Sequence, residues 1–311
     1  MKNEFGKLSN LVARNIKLYF KDKLVFFVSL ITPLILVVLF LTFLKGIYES
    51  SLLAFVPEGV EVSQNIINAF TGGWLFSSIM ATSCITVAFC SNMMVTDKLN
   101  KVSLDFQITA TRPATVKVSY AIANFCTTMI ICLVVFVISL VYLSIIGWFL
   151  SFVDILLILC DMVLCCMMGT LLASIIGNFI SSQGALSAVC TMVSSMYGFL
   201  CGAYMPISQF GIGMQRFVSF IPGTYATVLF RQYYMGGVLN ELGKTFPPEA
   251  IDGLRKGFDG SFDFFGHELA SWQMFLIVAL CVIAFLGIYI LISSVKLKKH
   301  KKRVKTVKTA S

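Results

Sequence analysis

The sequence predicts an all-α integral membrane protein with six transmembrane helices. The 311-residue chain is 58% hydrophobic and only 13% charged, and a water-soluble domain of that composition would expose more apolar surface than it could bury. A hydrocarbon core about 30 Å thick needs roughly 20 apolar residues in a helix, and six stretches meet that length without a single Lys or Arg. The predicted spans are Leu24–Leu44, Phe70–Thr96, Val118–Ile146, Ile155–Ile176, Gly184–Tyr204 and Leu269–Val295.

The basic residues predict how these spans are oriented. Of the 24 Lys and Arg residues, 18 lie in the termini and loops on the same side as the N-terminus. Because basic loops stay in the cytoplasm, both termini are predicted to be cytoplasmic in a multi-pass protein of the cell membrane. The basic tail, residues 296–311, follows the last span directly. We therefore expect it to bind anionic lipid heads, and expect no nucleic acid partner.

Residues 1–23 have an amphipathic pattern. Apolar residues recur every three or four positions, while Lys and Arg take the opposite face. This predicts an interfacial helix along the cytoplasmic membrane surface, with a helix packed on a soluble partner as the alternative. The apolar residues of this face are Phe5, Leu8, Val12, Ile16 and Tyr19.

Two external loops differ in character. The loop Lys45–Ala69 contains a Pro57–Gly59 turn and is predicted to be irregular. The loop at 205–271 begins with a segment too apolar for a solvated connection, which predicts short re-entrant helices before the last span. Its polar second half, Asn240–His267, is expected to form a small external elaboration.

The sequence contains no catalytic constellation and no metal-ligand spacing. All ten cysteines lie within predicted spans, where they are expected to pack as small apolar residues. Asp161 is the ionisable residue inside a span, so it is a candidate for the substrate path. The alternative is a structural position near the outer edge, where Asp161 and Asp154 would line a hydrated mouth.

The cytoplasmic loop at 97–117 has an apolar set among its charges. A plain connecting loop needs no such set, so a short amphipathic helix that contacts a soluble partner is predicted. The helix is expected to end before Arg112 and Pro113. The apolar residues are Leu99, Val102, Leu104, Phe106 and Ile108.

The layout and two motifs resemble the ABC-2 type permeases of ATP-driven exporters. The first motif is G-x-x-x-P after span five, here Gly202 to Pro206, and the second is Pro222-Gly-Thr-Tyr225 followed by Arg231. The cytoplasmic loop departs from the family pattern in its Thr111-Arg112-Pro113 end, where the proline is displaced. A proline usual between the two external prolines is also absent.

The resemblance implies a permease subunit of an ABC exporter, paired with a second copy of itself. Two cytoplasmic ABC ATPase subunits would bind ATP and Mg²⁺, so this chain would have no cofactor or enzyme activity of its own. The substrate would be an amphipathic small molecule, a toxin or a lipid-like compound; the alternative function is a secondary transporter or channel not coupled to ATP. The residues implied in ATPase coupling are Asp97, Lys98, Leu99, Leu104, Asp105, Phe106, Arg112 and Pro113, and those of the external re-entrant motif are Gly202, Pro206, Pro222, Tyr225 and Arg231.

Overall fold

The computed structural model describes residues 2–56, 61–109 and 111–310, which fold almost entirely into helices. At some positions, including Leu104 and those from Lys296 onward, only the backbone is described. The elements are α1 (Lys2–Lys21), α2 (Lys23–Leu39), a π-helical turn (Phe40–Leu44), α3 (Lys45–Leu53), α4 (Gln64–Cys90), α5 (Met93–Leu99), α6 (Val102–Ile108), α7 (Pro113–Ile146), α8 (Phe152–Gly177), α9 (Gln183–Leu200), a 3₁₀ turn (Ile207–Gln209), α10 (Ile212–Val218), α11 (Pro222–Leu242), α12 (Pro248–Gly257), β1 (Asp263–Phe264), β2 (His267–Glu268) and α13 (Ser271–Ala310).

Within the described residues, 4 helices are long and apolar enough to cross a membrane. They are α4 together with α5, then α7, α8 and the Ser271–Val295 part of α13, which correspond to the predicted second, third, fourth and sixth spans. The first predicted span falls on α2 with its π-helical turn, and the fifth on α9. These helices have only 17 and 18 residues. The all-α membrane class is therefore confirmed, whereas the count of six spans stays a prediction.

Helix α4 is the centre of the bundle and contacts α2, α7, α8, α9 and α11. Four of its buried hydroxyls, those of Thr71, Ser77, Thr82 and Thr86, donate to carbonyl groups of the preceding turn, so they are paired without a partner helix. Gly73 allows α11 to approach closely, since a Cβ there would lie 2.8 Å from the Tyr234 carbonyl oxygen. Small residues thus bring neighbouring helices close to α4.

Helix α11 differs most from the sequence prediction, which put its residues in an external segment of short interfacial helices. Such a short helix is present as α10, but α11 has 21 residues and packs against α4, α8 and α13. Its sequence has no polar face to turn toward water, so protein covers it on most sides. Pro222 begins this helix instead of ending one, because the first helical position needs no N–H donor. A re-entrant path through the membrane stays a prediction.

Helix α1 packs on α7 and α2. Glu4 Oε2 accepts a hydrogen bond from Thr115 Oγ1 at 3.1 Å, and Tyr19 is fully buried. The buried face largely matches the predicted apolar one, since Leu8, Val12 and Ile16 are half-buried beside Tyr19, but it also includes Asn15, and Phe5 is 75% exposed. The helix is present as predicted, and its position at the membrane surface stays a prediction.

The external segments contain more regular structure than predicted. Helix α3 continues the line of α2, so the loop predicted to be irregular is helical over Lys45–Leu53. The predicted Pro57–Gly59 turn lies outside the described residues. After α11 the polar half of the last external loop forms α12 and an antiparallel β1–β2 pair, with Asp263 opposite Glu268.

Candidate functional site

The external motif is organised around Arg231 of α11, whose side chain is fully buried. Its Nη1 donates to Asp259 Oδ2 at 2.6 Å, and its Nη2 donates to the carbonyl of Gly202. The guanidinium also lies over the Trp74 ring, 4.8 Å from its centroid. This is a cation–π contact, in which the ring face attracts the positive charge. One side chain thus joins α4, α11, the end of α9 and the loop after α12.

Asp259 completes this centre and was not found by sequence reasoning. Its carboxylate also accepts hydrogen bonds from the backbone N–H groups of Ile207 at 2.6 Å and Ser208 at 3.3 Å. Burial raises the pKa of Asp259, while Arg231 and the two N–H groups oppose that shift. No local pattern in a polar, glycine-rich loop marks this residue as the partner of a buried arginine.

The other motif residues shape the backbone around this pair. Gly202 has φ +75°, and a Cβ there would lie 2.5 Å from Ile207 Cγ1, so both its conformation and its surroundings require glycine. Pro206 precedes the 3₁₀ turn that presents its N–H groups to Asp259. Tyr225 donates its hydroxyl to Ser219 O, which fixes α11 against the end of α10. The structure therefore places Gly202 and Pro206 around the Arg231–Asp259 pair, while Pro222 and Tyr225 lie in the first turn of α11.

A second buried polar centre lies at Asp97, in the loop that is predicted to be cytoplasmic. This carboxylate accepts hydrogen bonds from Arg14 Nη1 at 2.8 Å and from the Tyr120 hydroxyl at 2.5 Å. Burial alone would lower the pKa of Arg14, but the hydrogen bond and charge of Asp97 outweigh it and the pKa is raised. The Arg14 guanidinium also lies 5.3 Å from the Phe106 ring centroid. Asp97 thus joins α1, α5 and α7.

The predicted coupling residues divide into two groups. Asp97 is buried in that centre, and Lys98 donates to Ile180 O in the turn between α8 and α9, so both hold the cytoplasmic loops together. Ile108, at the end of α6, is 89% exposed and is an apolar residue available to a partner. Leu99 and Phe106 are half-buried, Asp105, Arg112 and Pro113 are exposed, and the side chain of Leu104 lies outside the described set.

A large apolar groove lies between α2 with α3 and α9, over α4. Its volume is about 1240 Å³, and its described lining residues include no charged side chain. Ser194, Ser195 and Thr191 of α9 supply hydroxyl groups, and Tyr204 and Pro206 lie near the external motif. Such a surface suits a largely apolar molecule that carries a few hydrogen-bonding groups.

Asp161 does not line a hydrated mouth. Its side chain is fully buried, and neither carboxylate oxygen has a hydrogen-bond partner among the described residues. Asp154, its proposed companion, instead caps the start of α8, where Ser151 and Asp154 form a reciprocal capping box. The groove described above is not lined by Asp161, so its place on a substrate path stays a prediction.

These features define the membrane subunit of a transporter. A family model described as ABC-2 type transporter matches residues 7–235. The match covers well over half of the chain, so the protein belongs to the ABC-2 type transporter family, and the predicted resemblance to that family is confirmed. The family implies an ABC ATPase as partner, and the membrane subunit itself is not catalytic. The match includes Arg231 and ends before Asp259. Comparison with curated proteins gives no significant match.

Proposed function

We propose that this chain is the permease subunit of an ATP-driven exporter in the cell membrane. It forms the path for an amphipathic small molecule, toxin or lipid-like substrate, and ATP with Mg²⁺ is bound by two copies of a separate ATPase. The observation that carries the choice of substrate is the uncharged groove between α2 and α9. Its volume of about 1240 Å³ exceeds the roughly 300–1,000 Å³ of typical small-molecule pockets.

The chemistry of the groove favours an amphipathic molecule over a charged or strongly polar one. Aliphatic and aromatic side chains such as Ile35 and Phe199 would cover an apolar body, while the α9 hydroxyls would bind its polar groups. A charged substrate would lose its hydration without gaining a counter-ion there. In a pair of permeases whose grooves face each other, the path would lie between the two copies.

Coupling to the ATPase is assigned to the exposed part of α6 and the residues after it. Ile108 offers an apolar contact, and the exposed charges of Asp105 and Arg112 set the orientation of the partner. Because Asp97 and Arg14 tie this region to α1 and α7, a push on α6 would reach the bundle through a buried contact.

The partner is tested by purification in mild detergent from the native host. We expect a soluble ATPase to co-purify, with a native mass corresponding to two copies of each chain. A dimeric permease that carries no ATPase would support the secondary transporter instead.

The groove is tested with Ser194→Trp, which fills it, and with Val137→Trp as the matched control on the exposed face of α7. The probe is an uncharged fluorescent amphiphile in proteoliposomes that contain the permease and its ATPase. We expect Ser194→Trp to abolish ATP-dependent movement of the probe and Val137→Trp to preserve it. Equal movement in both variants would place the path elsewhere.

A further inference from the structure

Three cysteines that are far apart in the sequence meet inside the bundle. Cys84 on α4, Cys132 on α7 and Cys166 on α8 are fully buried, and their Sγ atoms all lie within 4.8 Å of one another. The spacing of the cysteines along the chain predicts no metal site, because each of these three comes from a different helix. Gly169 helps to form the cluster, since a Cβ there would lie only 2.6 Å from Cys84 O and would push α8 away from α4.

The geometry is that of a three-coordinate sulfur site. Three sulfurs at most 4.8 Å apart have a common centre at most about 2.8 Å from each, whereas a metal–thiolate bond is about 2.3 Å long. An inward movement of about half an ångström by each sulfur would therefore complete the coordination. Thiolate sulfur is a soft ligand and selects thiophilic ions over hard cations such as Mg²⁺.

The surroundings restrict the charge of the ligand. A monovalent or divalent cation on three thiolates would leave a net negative charge buried inside the bundle, which is costly. A trivalent centre leaves no net charge. Arsenous acid, As(OH)₃, is neutral near pH 7, and it condenses with three thiols to give As(SR)₃ and three waters. In this reaction three As–O and three S–H bonds break, three As–S bonds and three O–H bonds form, and arsenic stays trivalent.

We propose that Cys84, Cys132 and Cys166 form a binding site for trivalent arsenic and similar thiophilic trivalent hydroxides. The product As(SR)₃ is neutral, so it can be buried among these helices without the cost of a buried charge. It also cross-links α4, α7 and α8, and so restricts any movement of these helices relative to one another. This site is independent of the groove and of the proposed exporter function.

The test uses the purified, reduced, full-length permease in detergent, with arsenite as the probe. After desalting, elemental mass spectrometry should find about one arsenic atom per chain, and the unfolding temperature should be higher than that of the protein without arsenite. Cys132→Ala and Cys166→Ser should each lower the bound arsenic by about tenfold, since two thiols do not complete the site. Size-exclusion profiles identify a variant that fails to fold. If one of the two variants fails, the arsenic bound by the other one tests the proposal.

The control is Cys160→Ser, an exposed thiol also on α8, which should bind arsenic as the unaltered protein does. Two other thiols have neighbouring thiols of their own, since Cys90 interacts with Cys190 and Cys165 with Cys84, so Cys90→Ser and Cys165→Ser are included, and both should keep the arsenic. Loss of arsenic in either of these variants with retention in Cys132→Ala would place the ligand at the other thiols and overturn the proposal. So would the absence of bound arsenic in the unaltered chain.

Discussion

Arg231 and Asp259 form an ion pair at 2.6 Å in which neither side chain is more than 5% exposed. The arginine lies within the residues that match the family model, whereas its partner lies in the loop beyond them. A buried charge is stable only when it is paired and hydrogen-bonded. Here Arg231 also donates to the Gly202 carbonyl, and Asp259 also accepts from two backbone N–H groups. The external loop is therefore part of the core of this permease.

Arg231→Met should destabilise the protein strongly. It keeps an apolar side chain beside Trp74 but leaves Asp259 buried without its counter-ion, which typically costs about 3–5 kcal/mol. Arg231→Met with Asp259→Asn should recover part of that loss. The measurement is thermal unfolding in detergent, with Arg255→Met on the exposed face of α12 as control. Equal unfolding temperatures for the Arg231 and Arg255 variants would show that the pair contributes nothing.

The loss caused by Arg231→Met should depend on pH. Burial raises the pKa of Asp259 and Arg231 opposes that shift, so without Arg231 the folded-state pKa rises further above the unfolded value. A group whose pKa is higher in the folded state than in the unfolded state adds stability at a pH below its unfolded-state pKa. This stability is lost as the pH rises through its folded-state pKa. The deficit relative to the unaltered protein should thus be smaller near ~pH 5 than near ~pH 8. The double variant, which lacks the carboxylate, should lose this pH dependence; if it keeps it, another group is titrating.

Two adjacent glycines of α11 provide a matched comparison. A Cβ at Gly237 would lie 1.8 Å from Phe149 O, whereas a Cβ at Gly236 would meet nothing within 4 Å. Gly237→Ala should therefore cost about 1–3 kcal/mol or more through a backbone shift, and Gly236→Ala should be neutral or stabilise by up to about 1 kcal/mol. Unfolding temperatures in detergent measure both. Similar values would mean that α11 does not pack against the α7–α8 loop as described.

The sequence predicted those features that depend on local composition. Apolar length located four spans correctly, because a helix that crosses a bilayer must be apolar over its whole length. The same rule did not indicate the length of α11, whose residues at 222–242 include Arg231 and several glycines and so do not form a continuous apolar stretch. That segment is buried because it packs against α4 and α13, and the local sequence pattern gives no information about such distant contacts.

Contacts between distant elements could not be predicted in the same way. Asp97 was expected to face the ATPase as a coupling residue, but its partners Arg14 and Tyr120 come from two other helices. Asp259 pairs with an arginine 28 residues earlier. In each case the sequence identified one member of a buried pair, and only the packing of helices identified the other.

The predicted orientation can be tested by labelling single cysteines in a cysteine-free protein. Glu249 and Lys256 are exposed on α12, and Lys101 is exposed between α5 and α6. Because the basic residues lie mostly on the side of the N-terminus, Glu249→Cys and Lys256→Cys should react with an impermeant maleimide on intact cells. Lys101→Cys should react only after permeabilisation. Labelling of position 101 from outside would reverse the topology.

Ile108 is the residue whose replacement should best separate ATPase coupling from folding. It is 89% exposed, so Ile108→Asp should leave the permease inserted and dimeric. In the complex it would bury an unpaired charge, which typically costs several kcal/mol, and the ATPase should no longer co-purify. Asn100→Asp adds the same charge at an exposed polar position of the same loop and should keep the ATPase.

Phe106→Asp should lose the ATPase and also weaken the contact of α1 with α5 and α7, because the new carboxylate would lie near the Arg14 guanidinium, which is 5.3 Å from the Phe106 ring centroid, and would compete for it with Asp97. A cross-link between Glu4→Cys and Thr115→Cys, whose native side chains are 3.1 Å apart, measures that contact in a background without other cysteines. We expect the cross-link to form normally with Ile108→Asp and poorly with Phe106→Asp. If both variants retain the ATPase and export at the normal rate, the loop at 97–117 is a connector and coupling takes place elsewhere on the cytoplasmic surface.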